Sequence, residues 1–510
     1  MKIKSAVSLV LSTLFALLLS HCAPGVLYTR TQAAKHQASQ SRYADRSVRE
    51  FRKQIDEMIA APCFQPANFG ILIEDVLTRE IIYSRNPYKL FMPASNMKIF
   101  TTAAATALLG PDYRYSTRLY MDGEIRNDTL QGNLIVRGSG DPTISGRYNG
   151  GNALEIFQNW AKTLEEKGVH YIDGAIIGDD NIFEDLAQGY SWSWDDASYY
   201  YAAEISGISF NDNCIDLYIL SGKEVGEQPV IWTYPETEYV EILNHLETVP
   251  ADSQRYFDFY RHPETNLIEI FGHIPVSADT VKAWPTIHNP TLFTITVFKE
   301  TLEKSGISVK GVADIDDTPV QNYNYDLLKQ VAEYQSVPLV QMIETLNKTS
   351  HNSYAEHLQK TLGYEFKNSG SWKSGIQVEK DWFSSLGIDP GDIFIRDGSG
   401  LSRHNLVTPY QVTRVLLAMR FDKNWEMFFD SLPIGGVDGT LKSRFKGSNA
   451  REHVYAKTGY VGHVRALSGF VQATNGREYV FSILVNHYPT PTSAINQLQD
   501  DIITLLYNLE

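Results

Sequence analysis

The sequence predicts a multidomain α/β protein in which one discontinuous α/β unit carries a long, mainly β insertion. Three observations carry this reading. The chain has 510 residues, 43% hydrophobic and 21% charged, an ordinary globular composition with room for two or three cores. Mixed strand and helix patterns occupy residues 46–110 and return only over 316–510. Between them, residues 111–315 read as short strands separated by turn signals, and this stretch is itself divisible into two.

Taken in order, a first helix is expected around Val48 to Ile59, followed by a hairpin of apolar strands, Phe69 to Asp75 and Ile81 to Ser84. Pro93 to Gly110 is rich in Ala and Leu and closes on glycine, which predicts a buried helix with Ser95 at its N-terminus. Within 111–315, Leu134-Ile-Val136, Ala175-Ile-Ile177, Ile215 to Tyr218 and Leu267 to Ile270 read as strands. Helical pattern returns at Leu339 to Leu362 and Pro409 to Met419. Strands follow at His453 to Lys457, Ala466 to Ala473 and Tyr479 to Asn486, and an amphipathic helix at Ser493 to Leu509 closes the chain.

The N-terminus carries an address. Lys2 and Lys4 precede an apolar run from Ala6 to Ser20, too short for a mature membrane-spanning helix, so residues 1–22 predict an export signal and a cell-envelope or periplasmic destination. Leu19-Ser-His-Cys22 resembles a lipobox, but His21 stands where a small residue is usual. Plain cleavage and a membrane tether through lipidated Cys22 both stay open. Residues 23–45 read as a tether without a fold of their own. Cys63 and Cys214, the remaining cysteines, are too few for a disulfide scaffold, and either pairing or two free thiols is compatible with the sequence. A formal net charge of −15 with no long Lys/Arg run excludes the electrostatic footprint of a nucleic-acid binder. The thirteen histidines show no tight metal-ligand spacing, and His351 and His357, six apart, do not share a helix face and read as non-ligands.

Three short motifs carry chemistry. A serine hydroxyl is a weak nucleophile at neutral pH unless a base takes its proton, and a lysine one helical turn away, neutralised by its surroundings, can do so. Ser95-Asn-Met-Lys98 has that spacing at a helix start, where the Ser95 backbone N–H also faces a developing oxyanion. The pattern alone is weak: about one chance occurrence is expected in a chain of this length, and Ser443 to Lys446 is a second copy, without an apolar helix behind it. Ser350-His-Asn352 offers a hydroxyl that can relay a proton and an amide that can hold a substrate amide. Lys457-Thr-Gly459, at a strand end, offers a cation and a hydroxyl for a terminal carboxylate. Taken singly, each reads as a cap, a turn or a strand end. Their order and settings raise the set above its parts.

This ordered trio resembles that of penicillin-binding proteins and β-lactamases. The 255 positions from Ser95 to Ser350, against 107 from Ser350 to Lys457, leave room for a large insertion that a β-lactamase lacks. From about residue 45 to its end the chain resembles the low-molecular-mass class C penicillin-binding proteins, the D-alanyl-D-alanine carboxypeptidases that often act as endopeptidases too. Val136 to Pro142, Gly178 to Asp180, Trp194 to Asp196, Tyr199 to Ala203, Asp397 to Arg403 and Leu432 to Leu441 extend the likeness.

The resemblance implies a β-lactamase/transpeptidase-like serine domain, an antiparallel sheet flanked by helices, over 46–110 and 316–510, with 111–315 inserted. It implies Ser95 as the acylated nucleophile, Lys98 as its base and Ser350 as proton relay. Asn352 would bind a substrate amide, Lys457 and Thr458 the terminal carboxylate, and the backbone N–H groups of Ser95 and Tyr460 would form the oxyanion hole. Substrates would be peptidoglycan stem peptides, β-lactams would inhibit, and neither metal nor organic cofactor is needed. His351 departs from the family, where an acidic residue is common. Asp397 to Arg403 and Gly435 to Thr440 read as loop scaffolding, and Trp192, Trp194 and Tyr199 to Tyr201 as aromatic loops packing one unit on another rather than as a glycan floor. Two other readings remain: a β-lactamase or esterase using the same serine and lysine, and a catalytically silent envelope protein that binds peptidoglycan.

No Glu-x-x-Leu-Asn segment lies between Ser350 and Lys457 to position a deacylating water. A penicillin adduct on the purified protein is therefore expected to hydrolyse slowly, and rapid steady-state turnover of penicillin would contradict this.

Overall fold

The computed structural model of the chain describes residues 46–319 and 322–510; the export signal, Cys22 and the 23–45 tether lie outside the described residues. At its centre is a five-stranded antiparallel sheet in the order Val454–Val461, Val464–Gln472, Glu478–Asn486, Asn68–Asp75, Ile81–Arg85. Both ends of the chain build it. Asn68–Asp75 pairs along its whole length with Glu478–Asn486, Ile71 opposite Ile483 and Phe69 opposite Val485. Every residue of Asn68–Asp75 after the first is buried, as befits an apolar strand covered on both faces.

Helices supply the two covers. Arg46–Ile59 buries Val48, Phe51, Ile55 and Ile59, a three-to-four residue spacing that makes one apolar stripe, and it shares a core with Ile495, Leu498, Ile502 and Leu506 of Thr492–Tyr507. That core also takes Ile71, Ile73, Phe481, Ile483 and Val485 from one face of the sheet. Val480, Leu484 and Phe470, on the other face, pack with Ile99 and Phe100 of Met97–Leu108 and with Val412 and Leu416 of Pro409–Arg420. The result is the helix–sheet–helix architecture of the β-lactamase-like fold.

A second five-stranded sheet, ordered Ser308–Asp314, Tyr171–Asp179, Thr129–Arg137, Ser116–Arg126, Lys329–Gln335, forms the inserted part together with two three-stranded sheets. Its first two neighbouring pairs are parallel. Parallel neighbours need crossover connections, and helices Glu155–Glu166 and Pro290–Lys304 supply them. The mainly β reading of the insertion omitted both helices, although Ile156, Phe157, Trp160, Ala161 and Leu164 stand at helical spacing and are buried. The insertion also runs further than residue 315. Lys329–Gln335 pairs with Ser116–Arg126, and Ser336 N–H donates to the Tyr115 carbonyl at 3.1 Å, so entry and exit lie side by side. Lys329–Gln335 is a polar, largely exposed edge strand, and its sequence lacks the apolar alternation that would announce it.

Two further differences concern helices. The helix expected over Leu339 to Leu362 is two, Leu339–Thr349 and Asn352–Lys367, broken where Ser350 adopts a left-handed conformation (φ 62°, ψ 41°). Trp372–Ser385 and Trp425–Ser431 are helices that sequence patterning passed over. Cys63 is exposed, Cys214 is buried, and both are free thiols. His357 is buried between the two parts of the chain, its Nε2 2.9 Å from the Ser209 hydroxyl and its Nδ1 2.8 Å from the Ser353 carbonyl.

Because Ile71 and Ile483 face each other on the same side of the sheet, truncating either to alanine should cost about 2–5 kcal/mol. The double-mutant cycle should show a coupling of about 0.5–3 kcal/mol, read from urea midpoints. Additive losses would mean that the two ends of the chain do not stabilise one another here.

Candidate active site

Ser95 sits in a single 3-10 turn, Ala94–Asn96, that leads directly into the buried helix Met97–Leu108. One turn on, Lys98 has no exposed surface, and its amine makes three hydrogen bonds: 3.0 Å to Ser95 Oγ, 2.6 Å to Asn352 Oδ1 and 2.8 Å to the Ser399 carbonyl. Burial pushes the Lys98 amine down to about 7, with Glu356 and Asp397 pulling the other way. A lysine so placed is neutral for much of the time near neutral pH and can accept the Ser95 proton.

A second serine–lysine pair lies across the cleft, where Lys457 Nζ donates to Ser350 Oγ at 2.8 Å. The left-handed turn at Ser350 separates the roles of three consecutive residues. Ser350 and Asn352 line the cleft, whereas the His351 ring turns toward the insertion, 3.3 Å from Asp212. Burial, reinforced by Lys98 and Arg465, pushes Lys457 well below its usual value. An anionic group arriving beside it would restore the charge.

Lys457 and Thr458 lie on Val454–Val461, the edge strand of the central sheet; its start is bridged by the 433–435 segment, where Ala456 N–H donates to the Pro433 carbonyl at 3.0 Å, and its later residues border the cleft. Gly459 lets this edge approach the serine turn: a Cβ there would stand 2.6 Å from the Pro93 carbonyl oxygen and 3.1 Å from the Asn96 nitrogen. Gly400 does the same for the facing loop, since a Cβ there would come within 1.9 Å of the Ala94 carbonyl oxygen. Ser95 and Tyr460 consequently line one cleft of about 460 Å³, together with Ser350, Asn352 and Thr458; Lys98 and Lys457 support it from beneath.

The structure therefore brings Ser95, Lys98, Ser350, Asn352, Lys457, Thr458 and Tyr460 together, and leaves the second Ser-x-x-Lys outside: Ser443 and Lys446 are exposed beyond the short turn Gly439–Leu441. Four contributors were missed by sequence reading. Thr440 accepts the Thr458 hydroxyl at 2.8 Å and lines the cleft. Arg403 lines it as well, donating to the Gly462 carbonyl at 3.1 Å. Both belong to segments read as scaffolding. For Asp397 that reading fits, because its carboxylate accepts from Gly400 N at 2.8 Å, Ser402 N at 2.6 Å and Trp192 Nε1 at 2.9 Å. Tyr201 accepts Asn352 Nδ2 on its carbonyl at 2.7 Å, while Trp194 is exposed, so the aromatic loop packs at one end and opens on the cleft at the other. Glu356, one turn after Asn352, is wholly buried and accepts from Ser399 N at 2.8 Å and Trp372 Nε1 at 2.7 Å, which fixes the carbonyl that holds Lys98.

A serine paired with a buried lysine, at the junction of a helical layer and an antiparallel sheet that both chain ends build, defines an active-site serine peptidase of the β-lactamase-like fold. The chain belongs to the D-Ala-D-Ala carboxypeptidase 3 (S13) family, whose model matches residues 51–509. It is 32% identical over 454 residues, 87% of this chain and 82% of the relative, to a D-alanyl-D-alanine carboxypeptidase of an Actinomadura species. It is 26% identical over 429 residues, 83% of this chain and 86% of the relative, to the D-alanyl-D-alanine carboxypeptidase DacB of Haemophilus influenzae. The crystal structure of penicillin binding protein 4 from that organism superimposes with a TM-score of 0.77 at 25% identity, covering 89% of this chain and 99% of the other.

If neutral Lys98 is the base, the second-order rate constant for penicillin acylation should fall about tenfold per pH unit below about 7 and level off above it. The lowered lysine value sets the sign, because protonation on the acid side removes the base. Lys98→Arg, which stays charged throughout, should abolish that rise; a flat profile in the wild type would contradict the assignment.

Proposed function

We propose that the enzyme releases the C-terminal D-alanine of peptidoglycan stem peptides through an acyl-enzyme on Ser95. The observation that carries this reading is the Ser95 Oγ–Lys98 Nζ contact of 3.0 Å within a cleft that also holds the Ser350–Lys457 pair. Lys98 takes the Ser95 proton as the oxygen attacks the carbonyl of the penultimate D-alanine. The Ser95 and Tyr460 amides receive the oxyanion, a contribution of about 2.7–4 kcal/mol for one such donor in comparable sites. Ser350, bonded to Lys457, passes a proton to the departing amine, and Lys457, Thr458 and Thr440 hold the terminal carboxylate. Asn352 spends its oxygen on Lys98 and one N–H on Tyr201, which leaves its second N–H for a substrate carbonyl. Water then splits the ester and frees Ser95.

β-Lactams fit the same reading, since they present a strained amide beside a carboxylate to the same serine, as the name of the penicillin binding protein 4 relative suggests. We also take the chain to consist of a catalytic unit, 46–110 with roughly 336–510, and an insertion over 111–335, exported to the cell envelope. No helix of the described residues is long and apolar enough to cross a membrane. Cys22 is the one proposed tether, and its lipidation can be read by mass spectrometry of protein from membrane fractions.

The decisive experiment incubates wild type and Ser95→Ala with a fluorescent penicillin and looks for a covalent band after denaturation. The wild type should label and Ser95→Ala should not; an unlabelled but folded wild type would overturn the proposal in favour of a silent peptidoglycan-binding protein.

A further inference from the structure

The insertion grips the chain on both sides of Ser350. Tyr148 donates its hydroxyl to Thr345 Oγ1 at 2.7 Å, five residues before Ser350, and the Tyr201 carbonyl accepts Asn352 Nδ2 at 2.7 Å, two residues after it. Between these contacts, Asp212 Oδ2 lies 3.3 Å from His351 Nε2 and accepts from Arg147 Nη2 at 2.5 Å. The segment that presents Asp212 has an unusual backbone: Asn211, Asp212 and Asn213 adopt φ of 51°, 57° and 55° in succession. Asparagine and aspartate visit this left-handed region as single residues, so a run of three is a strained turn that persists only where its surroundings impose it. They do so here. Asn211 N–H donates to the Ile144 carbonyl at 2.8 Å, and the buried Asn213 donates through Nδ2 to the Glu204 carbonyl at 2.8 Å and to Ser209 Oγ at 3.0 Å. The tip of the turn, Asp212, thereby reaches the middle residue of Ser350-His-Asn352.

What this contact holds follows from the local backbone. Asn352 begins the helix Asn352–Lys367 and is fixed independently by Lys98 and Tyr201. Ser350 lies outside both flanking helices, in the left-handed conformation that a helix end usually gives to glycine. Its hydroxyl must face Lys457 in the cleft while the next side chain faces the insertion, and an anchored His351 ring fixes that turn from the far side. Burial raises the Asp212 carboxyl, but His351 and Arg147 outweigh it and hold the group ionised. We propose that Asp212 is a positioning residue, through which the insertion holds the Ser350 hydroxyl where it protonates the departing amine, an inference that rests on the acyl-enzyme reading above. In that step Ser95 Oγ bonds to the carbonyl carbon, the C–N bond breaks, and the proton that Lys98 took from Ser95 returns through Ser350 to the departing nitrogen. An amine does not leave as an anion, so an amide needs that proton; a thiolate leaves without one, so a thioester does not.

The test compares two substrates with the same acyl part: an N-acyl-D-alanyl-D-alanine peptide and the matching N-acyl-D-alanyl thioester of mercaptoacetate, which keeps a terminal carboxylate. Asp212→Gly removes the side-chain carboxylate and keeps the turn, because glycine adopts the left-handed conformation freely. His351→Ala breaks the same contact from the other side, where the backbone is extended (φ −68°, ψ 117°) and takes alanine without strain. Each should lower kcat/KM for the peptide at least about tenfold more than for the thioester, and Ser350→Ala should show the same bias. The double variant should be no slower than the slower single, since both substitutions remove one contact. Asp212→Asn, which keeps an acceptor and tolerates the turn, should restore much of the peptide rate. Equal losses on the two substrates, additive losses in the double variant, or a folded Asp212→Gly within about twofold of wild type on the peptide would each overturn the inference. A Ser350→Ala enzyme without the bias would instead remove the relay role of Ser350, a wild type that penicillin fails to label would remove the acyl-enzyme reading, and either would take this inference with it.

Discussion

The whole site depends on a lysine amine buried without a counter-ion in contact. Among the described residues Lys98 contacts no carboxylate, and its three hydrogen-bond partners come from three separate stretches of chain: Ser95 on the preceding turn, Asn352 at the start of a distant helix and the Ser399 carbonyl of a loop. Removing an ammonium from water costs several kcal/mol unless it sheds its proton. The arrangement therefore favours the neutral, basic form, whose two N–H groups donate to Asn352 Oδ1 and the Ser399 carbonyl and whose lone pair faces the Ser95 hydroxyl. Everything around the amine serves to keep it dry and held. Glu356 orients the Ser399 segment, Asp397 ties Gly400 and Ser402 into the same loop, and Trp192 from the insertion closes over Asp397.

That requirement accounts for the discontinuous architecture. The serine turn follows the first hairpin, whereas the sheet edge that faces it is formed near the far end of the chain. An insertion entering beside Tyr115 and leaving beside Ser336 can grow without disturbing the central sheet, because its two ends are hydrogen-bonded neighbours. It also brings Tyr200 and Tyr201 back over the cleft, so the inserted part contributes a wall to the chemistry as well as bulk.

The sequence made local features legible and tertiary ones not. Apolar runs identified the central strands, Ala-rich composition identified the serine helix, and the three motifs identified the residues that the fold gathers. What escaped reading has physical reasons. Ser350 breaks a helix without glycine or proline, in a left-handed conformation uncommon for other residues, so periodicity ran on through it. Lys329–Gln335 is an exposed edge strand without alternation. Thr440, Arg403 and Tyr201 lie in segments that carried the resemblance without an assigned role, and Glu356 in none, because each owes its place to another segment: Thr440 to the turn that Lys348 anchors by its 2.6 Å contact with Asp438, Glu356 to the loop folded over it.

The pairing of Asn68–Asp75 with Glu478–Asn486 has a consequence for how the protein comes into being. During vectorial synthesis, the early hairpin waits with an open edge while some four hundred residues emerge, since its partner strand is among the last to be made. The order of events doubles as a safety catch. A chain that is interrupted lacks both the strand that seats the hairpin and the Lys457 edge that completes the cleft, so a half-made enzyme has no assembled site.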